Sequence, residues 1–180
     1  MRTYIGIDPG ASGFVSVMYS NGVKDFFSIK DNDVREIVDF LRGVIDQSQG
    51  DCMCCMEEVH AIFGASARTT FAFGKICGLL EGILVSLGIP YHLVQPKEWQ
   101  GLVWINQDKE YTVKTKAKKD RKGVDKVRSV RKIDTKKTSL NAGKRLFPHV
   151  DFKRNGKCKS DDDNKCDSLL ICEYGRRMNL

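Results

Sequence analysis

No stretch of the chain approaches the roughly 18 to 20 consecutive apolar residues that span a bilayer, so no membrane segment or membrane partner is expected. There is no paired Cys-x-x-Cys among the seven cysteines. The three histidines, His60, His92 and His149, fall on separate predicted elements without ligand spacing. A structural zinc site is therefore poorly supported. The simpler reading of the cysteines is a set of reduced, mostly buried thiols. No internal repeat is visible, and the N-terminus enters a strand pattern with no signal-peptide pattern before it. The expected location is an intracellular, reducing compartment. At 180 residues, 41% hydrophobic and 29% charged, the chain is long and apolar enough for one globular domain with a real core.

Positive charge is abundant but uneven. Between Lys109 and Lys137 there are 13 Lys/Arg against 4 Asp/Glu, whereas the whole chain carries a net +7. The remainder is thus slightly acidic, and the basic character belongs to one segment. Residues 105–134 lack clear periodicity and read as a basic insertion or loop within a single domain spanning 1–180. Such an excess suits a solvated arm, and equally a polyanion whose phosphates release counterions on binding. The stretch KTKAKKDRKGVDKVRSVRK has no aromatic residue, which favours contact with nucleic-acid backbone over base readout.

Elsewhere the periodicity is clear. Arg2–Asp8, Phe14–Tyr19 and Val23–Ile29 read as strands, with Asn21-Gly22 as a hairpin turn. A helix is expected from Val34 to about Gln47, a strand over Cys52–Val59, and a loop over His60–Arg68. An apolar helix from Thr69 or Thr70 ends near Leu87-Gly88, and a strand covers Tyr91–Val94. A short helix or turn over Lys97–Trp104, a helix over Thr135–Phe147 and a last helix from Ser160 or Asp161 to about Arg177 complete the chain. The order implies an α/β fold, a mixed sheet covered by helices on both faces.

Three acidic signals fall at element ends. Asp8 ends the first strand, Glu57 the fourth, and SDDDNKCDSLLICEYGRR opens the last helix. Asp163 and Asp167, four apart, share a helix face. Acids at a helix start are favoured by the macrodipole, so this cluster alone reads as capping as readily as chemistry. Asp8 and Glu57 are different, because a lone carboxylate ending a central apolar strand needs hydrogen bonds, a cation or a proton. Oxygen-only ligands suit Mg²⁺, with Mn²⁺ as a substitute, and four carboxylates suit the paired-ion arrangement of phosphodiester cleavage.

The motifs IGIDPGASG (5–13), MEEVHAIFGASARTTFAFGKICGLLEGIL (56–84), QPKEWQ (95–100), TKKTSLNAGKRLFPHV (135–150) and DDDNKCDSLLICEYGRR (161–177) together resemble the RuvC-type Holliday junction resolvases, particularly their phage and organellar relatives. These belong to the RNase H-like nuclease superfamily. The resemblance covers most of the chain outside 105–134. It implies an RNase H-like mixed five-stranded sheet with helices on both faces, and a homodimer that nicks a four-way DNA junction symmetrically, leaving a 5′-phosphate and a 3′-hydroxyl. It assigns Asp8, Glu57, Asp163 and Asp167 as metal ligands and Lys136 as a helper at the scissile phosphate, with no cofactor beyond the metal. Some relatives space the last pair three apart, but the residue there is Asn164. Glu58 occupies a place where relatives often have Gln and reads as supporting or structural. DNA contacts are expected from Phe63, which could wedge between bases, from Arg68, and from Lys114, Lys116, Lys118, Lys119, Arg121 and Lys122.

Gly74, Gly78 and Gly82 mark a helix stripe where another backbone could approach, either the sheet beneath or a partner helix across a twofold axis. Trp99 and Trp104 are expected to pack beneath the basic insertion. Three further readings compete: a non-catalytic junction-binding protein, a nuclease of flaps or RNA–DNA hybrids, and an actin-like ATPase or sugar kinase fragment. The last is disfavoured because those folds need two such domains.

Overall fold

A computed structural model describes residues 2–30, 32–58, 66–119 and 125–180, with backbone alone for 114–119 and 125–128. Five strands form the main sheet: β1 (Thr3–Asp8), β2 (Phe14–Met18), β3 (Lys24–Ser28), β4 (Cys52–Glu57) and β5 (Tyr91–Val94). Their order is β3-β2-β1-β4-β5. β1 pairs antiparallel with β2 and parallel with β4, so the meander and the parallel half meet at the central strand.

The period-2 alternation of β1 sorts its residues onto two cores. Ile5 and Ile7 join Val15, Val17, Cys54 and Met56 under the helices α1 (Val34–Gln47) and α2 (Ala67–Ser86). Asp33 caps α1 in a capping box with Glu36, which satisfies the first free N–H groups. Tyr4 and Cys55 face the other way, into a core with Trp99 and Val103 of α3 (Pro96–Val103), Ala142 of α4 (Thr135–Leu146), and Cys166, Leu169 and Cys172 of α5 (Asp163–Met178). Full burial of each large apolar side chain contributes about 1.5–3 kcal/mol.

Gly6 decides how closely α5 lies on β1. A Cβ there would collide with the Ser168 carbonyl and the Cys172 backbone. The paired residue on β2, Ser16, is also small, and its hydroxyl meets that of Ser168. This small-residue row seats α5 directly over the central strand and carries its first turn toward Asp8. The buried thiols are inert: burial pushes Cys55 up to about 12 and raises Cys54, Cys166 and Cys172.

Two expectations are corrected. The basic segment is not irregular. A 3₁₀ turn (Asn106–Asp108) leads into a two-stranded antiparallel ribbon, β6 (Tyr111–Lys119) with β7 (Asp125–Ile133). β6 alternates lysine with threonine and alanine, and the valines of β7 stand three apart, so neither strand carries a period-2 hydrophobic pattern. The ribbon root is pinned to α4: Asp134 N donates to Glu110 O at 2.8 Å, and Glu110 N to Thr138 Oγ1 at 3.1 Å. Buried Asp108 accepts from Arg145 Nε and Nη2 at 2.9 and 2.8 Å. Burial alone would raise the Asp108 pKa, but the Arg145 and Ile105 hydrogen bonds outweigh it and hold the carboxyl low.

The second correction concerns α2. It is 20 residues long and, by length and composition, apolar enough to cross a bilayer. Leu80, Ile83 and Leu84 dock it on the sheet, while Phe71 and Val85 remain 76% and 65% exposed. Among the described residues nothing lies within 4 Å of a Cβ built on Gly74, Gly78 or Gly82, so the described sheet is not what these glycines admit.

Candidate metal-binding site

β1 and β4 run parallel with Ile7 opposite Met56, so the next residues, Asp8 and Glu57, leave the same end of the sheet. Both are partly buried. α5 adds Asp163 and Asp167 above them. Burial raises the Asp8 pKa well above its ordinary value, and the charges of Asp167, Glu57 and Asp163 raise it further. Burial pushes Asp167 up to about 7; a Ser139 hydrogen bond and Lys136 oppose this, while Glu57 and Asp163 add to it. The charges of Glu57, Asp162, Asp163 and Asp167 thus all bear on Asp8 at this end of the sheet.

The three acids before Asn164 divide their work. Asp161 pairs with Lys144 Nζ at 2.7 Å. Asp162 caps α5, accepting from Asn164 N and Lys165 N, and is held by Arg154 Nε at 2.7 Å. Asp163 pairs with Lys136 Nζ, also at 2.7 Å. Arg154 also donates to Ser28 Oγ and to the carbonyl of Ser12, and its guanidinium lies over the Phe14 ring. It thereby ties the turn after Asp8 to the cap of α5, the two segments that deliver acids to the site. Arg154 lies between the last two predicted helices, where no spacing in the sequence points to this role.

Trp99 lies elsewhere than its sequence context suggests. It is not beneath the basic segment; it is fully buried in the core under α3 and α5, with Trp104 edge-on at 5.9 Å. Its Nε1 donates to Glu57 Oε1 at 2.8 Å. Burial raises the Glu57 pKa, and this bond counters it by favouring the carboxylate. Trp99→Phe should weaken Mn²⁺ binding about 10- to 100-fold, as expected when a partner orienting a ligand is lost. Calorimetric titration checks this, and unchanged affinity in a folded variant would remove Trp99 from the site.

Among the described residues, no three His, Cys, Asp or Glu side chains stand close enough to hold an ion as they are. The donor set nevertheless fits a hard divalent cation. It is all oxygen, and among the described residues Asp167 Oδ1 is buried with no hydrogen-bond partner, which leaves a lone pair a cation could take.

Of the expected DNA contacts, Arg68 lies exposed in the first turn of α2 rather than in a loop. With Ala11 and Phe73 it lines a 310 Å³ cavity beside the turn after Asp8. Phe63, Arg121 and Lys122 lie outside the described residues, as do the side chains of Lys114, Lys116, Lys118 and Lys119.

No protein-family model and no curated protein matches the sequence. Among solved structures, the chain is similar to Thermus thermophilus RuvC in complex with a Holliday junction substrate. The identity is 12% and the TM-score 0.54, over 99% of this chain and 96% of that one. A second Thermus thermophilus RuvC structure matches at 12% identity and a TM-score of 0.49, over 98% and 96%. The mixed five-stranded sheet with helices on both faces is accordingly an RNase H-like α/β fold, of the kind that RuvC adopts.

Proposed function

We propose that this protein is a divalent-metal-dependent, structure-selective endonuclease that cuts four-way DNA junctions by phosphodiester hydrolysis. The observation that carries the reading is the convergence of Asp8, Glu57, Asp163 and Asp167 from three elements, with a buried Asp167 oxygen unpartnered among the described residues. These four residues would hold Mg²⁺ or Mn²⁺. When bound, the ions supply an activated water and stabilise the leaving oxygen.

The chain's own residues prepare the site. Trp99 fixes the orientation of Glu57. Lys136 neutralises Asp163. It is the cation placed to turn toward a phosphate oxygen once that charge is met otherwise, and there it would stabilise charge developing on the phosphate. The similarity to a RuvC structure holding a Holliday junction supports branched DNA as the substrate class. A panel of labelled four-way junction, flap, RNA–DNA hybrid and linear duplex tests it. The junction should be nicked at symmetric positions and the others far more slowly; equal cutting of flap or hybrid would reassign the substrate.

Two symmetric nicks require two sites. The unfilled glycine stripe and exposed Phe71 and Val85 of α2 support a homodimer packed through that helix. Gly78→Glu places a charge in the middle of the stripe. It should convert the dimer to a monomer in analytical ultracentrifugation and abolish paired nicking. A variant that sediments like the parent would rule out this interface.

A further inference from the structure

Paired residues of an antiparallel ribbon share a face, and faces alternate along each strand. The β6–β7 register sorts the basic segment accordingly. One face takes Thr112 with Lys132, Lys114 with Val130, Lys116 with Arg128, and Lys118 with Lys126. That is six basic positions and no acid. The opposite face takes Tyr111 with Ile133, Val113 with Arg131, Thr115 with Ser129, Ala117 with Val127, and Lys119 with Asp125. Its two basic positions are Arg131, whose guanidinium stacks 3.9 Å from the Tyr111 ring centre, and Lys119, which stands in register with Asp125.

A charged spacer would have no need of this sorting. It also works against the free ribbon, because like charges directly opposite one another in a sheet destabilise it. Lys116 with Arg128 and Lys118 with Lys126 are two such pairs in succession. A polyanion along that face removes the repulsion.

The dimensions and the root agree. Nine residues per strand extend about 30 Å, and two strands about 5 Å apart fit a major groove about 12 Å wide. At the inner end, Thr112 and Lys132 line a cleft of about 300 Å³ with Ile133, Asp134, Thr135 and Lys136. Lys136 in turn contacts Asp163 of the acidic site.

From this we infer that the ribbon is a duplex-binding arm with a single phosphate-bearing face, at positions 114, 116, 118, 126, 128 and 132. It holds one helical arm of the substrate and leads its strand through the root cleft to the carboxylates. The inference rests on the proposed nuclease function and adds how the substrate is held. It also separates Lys119 from the other lysines of the segment, which a face-blind reading treats alike.

The test compares two double neutralisations that remove equal charge, K114Q/K116Q and K119Q/R131Q. Binding of the full chain to a fluorescent four-way junction is measured in EDTA from 50 to 300 mM salt. Each lost phosphate contact lowers the salt slope by about 0.9, so K114Q/K116Q should lower it by about 2 and weaken binding at least about tenfold. K119Q/R131Q should leave the slope within about 0.5 of the parent. A third variant, K114T/T115K/K116A/A117K, keeps composition and charge but moves two lysines across the ribbon; it should behave like K114Q/K116Q. Circular dichroism confirms the fold of each. Equal losses from both neutralisations, or parental binding by the exchange variant, overturn the inference and leave the nuclease reading standing. A parent protein that binds neither junction nor linear duplex overturns both.

Discussion

Asp8→Asn should lower junction cleavage by at least about 1,000-fold, equivalent to about 4 kcal/mol of lost transition-state stabilisation, while leaving junction affinity within about twofold. Asp8 stands at the centre of the acidic unit, where Asp167, Glu57 and Asp163 all bear on its charge. Amide for carboxylate keeps the shape and removes the charge a cation needs. The basic ribbon is untouched, so binding persists. The same substitution should make the metal-free protein more stable, because a half-buried ionisable group in a ring of like charges is a cost to the fold. Loss of cleavage with a raised Tm separates a removed ligand from a damaged structure. A variant that cuts at the parental rate would mean that the metal site lies elsewhere.

Metal stabilisation should grow with pH. The folded-state pKa of Asp8 lies well above its ordinary value, and that of Asp167 is about 7 against an ordinary 3.8. Between those limits the folded protein holds protons that the unfolded chain has released. The metal-free fold therefore loses stability as pH rises through that window. A divalent ion must displace the same protons, so it competes poorly at low pH and well above about 7. Saturating Mn²⁺ should raise the Tm by about 5 °C or more at pH 8, and by about 1 °C or less at pH 5.5. Equal shifts at both pH values would contradict the assignment of Asp8 and Asp167 as ligands, and Asp8→Asn should flatten the dependence.

The parts of the fold legible in the sequence are those written in hydrophobic period. Ile5 and Ile7 marked the central strand. Asn21-Gly22 marked the hairpin, where Gly22 takes a φ of 84°. Val34, Ile37, Leu41 and Ile45 marked α1. Asp8 and Glu57 stood out in the sequence as acids ending apolar strands, and the parallel pairing of β1 with β4 brings them to one sheet end. What escaped lies where period is silent. β6 alternates lysine with threonine and alanine, and the valines of β7 stand three apart, so no period-2 hydrophobic pattern showed the strands. The Trp99–Glu57 bond joins residues 42 apart through two elements whose packing no local rule describes. Asp161, Asp162 and Asp163 look equivalent as text, and only their separate partners Lys144, Arg154 and Lys136 tell the spacer, the cap and the site residue apart.

The central claim is that four carboxylates from β1, β4 and α5 form one cation site. Anomalous diffraction from a crystal soaked in Mn²⁺ tests it most directly. The account predicts a peak at ligand distance from Asp8 and from at least two of Glu57, Asp163 and Asp167, with Lys136 displaced from Asp163. A map with no peak at that end of the sheet, or with the ion on Asp161 and Asp162 alone, would contradict it.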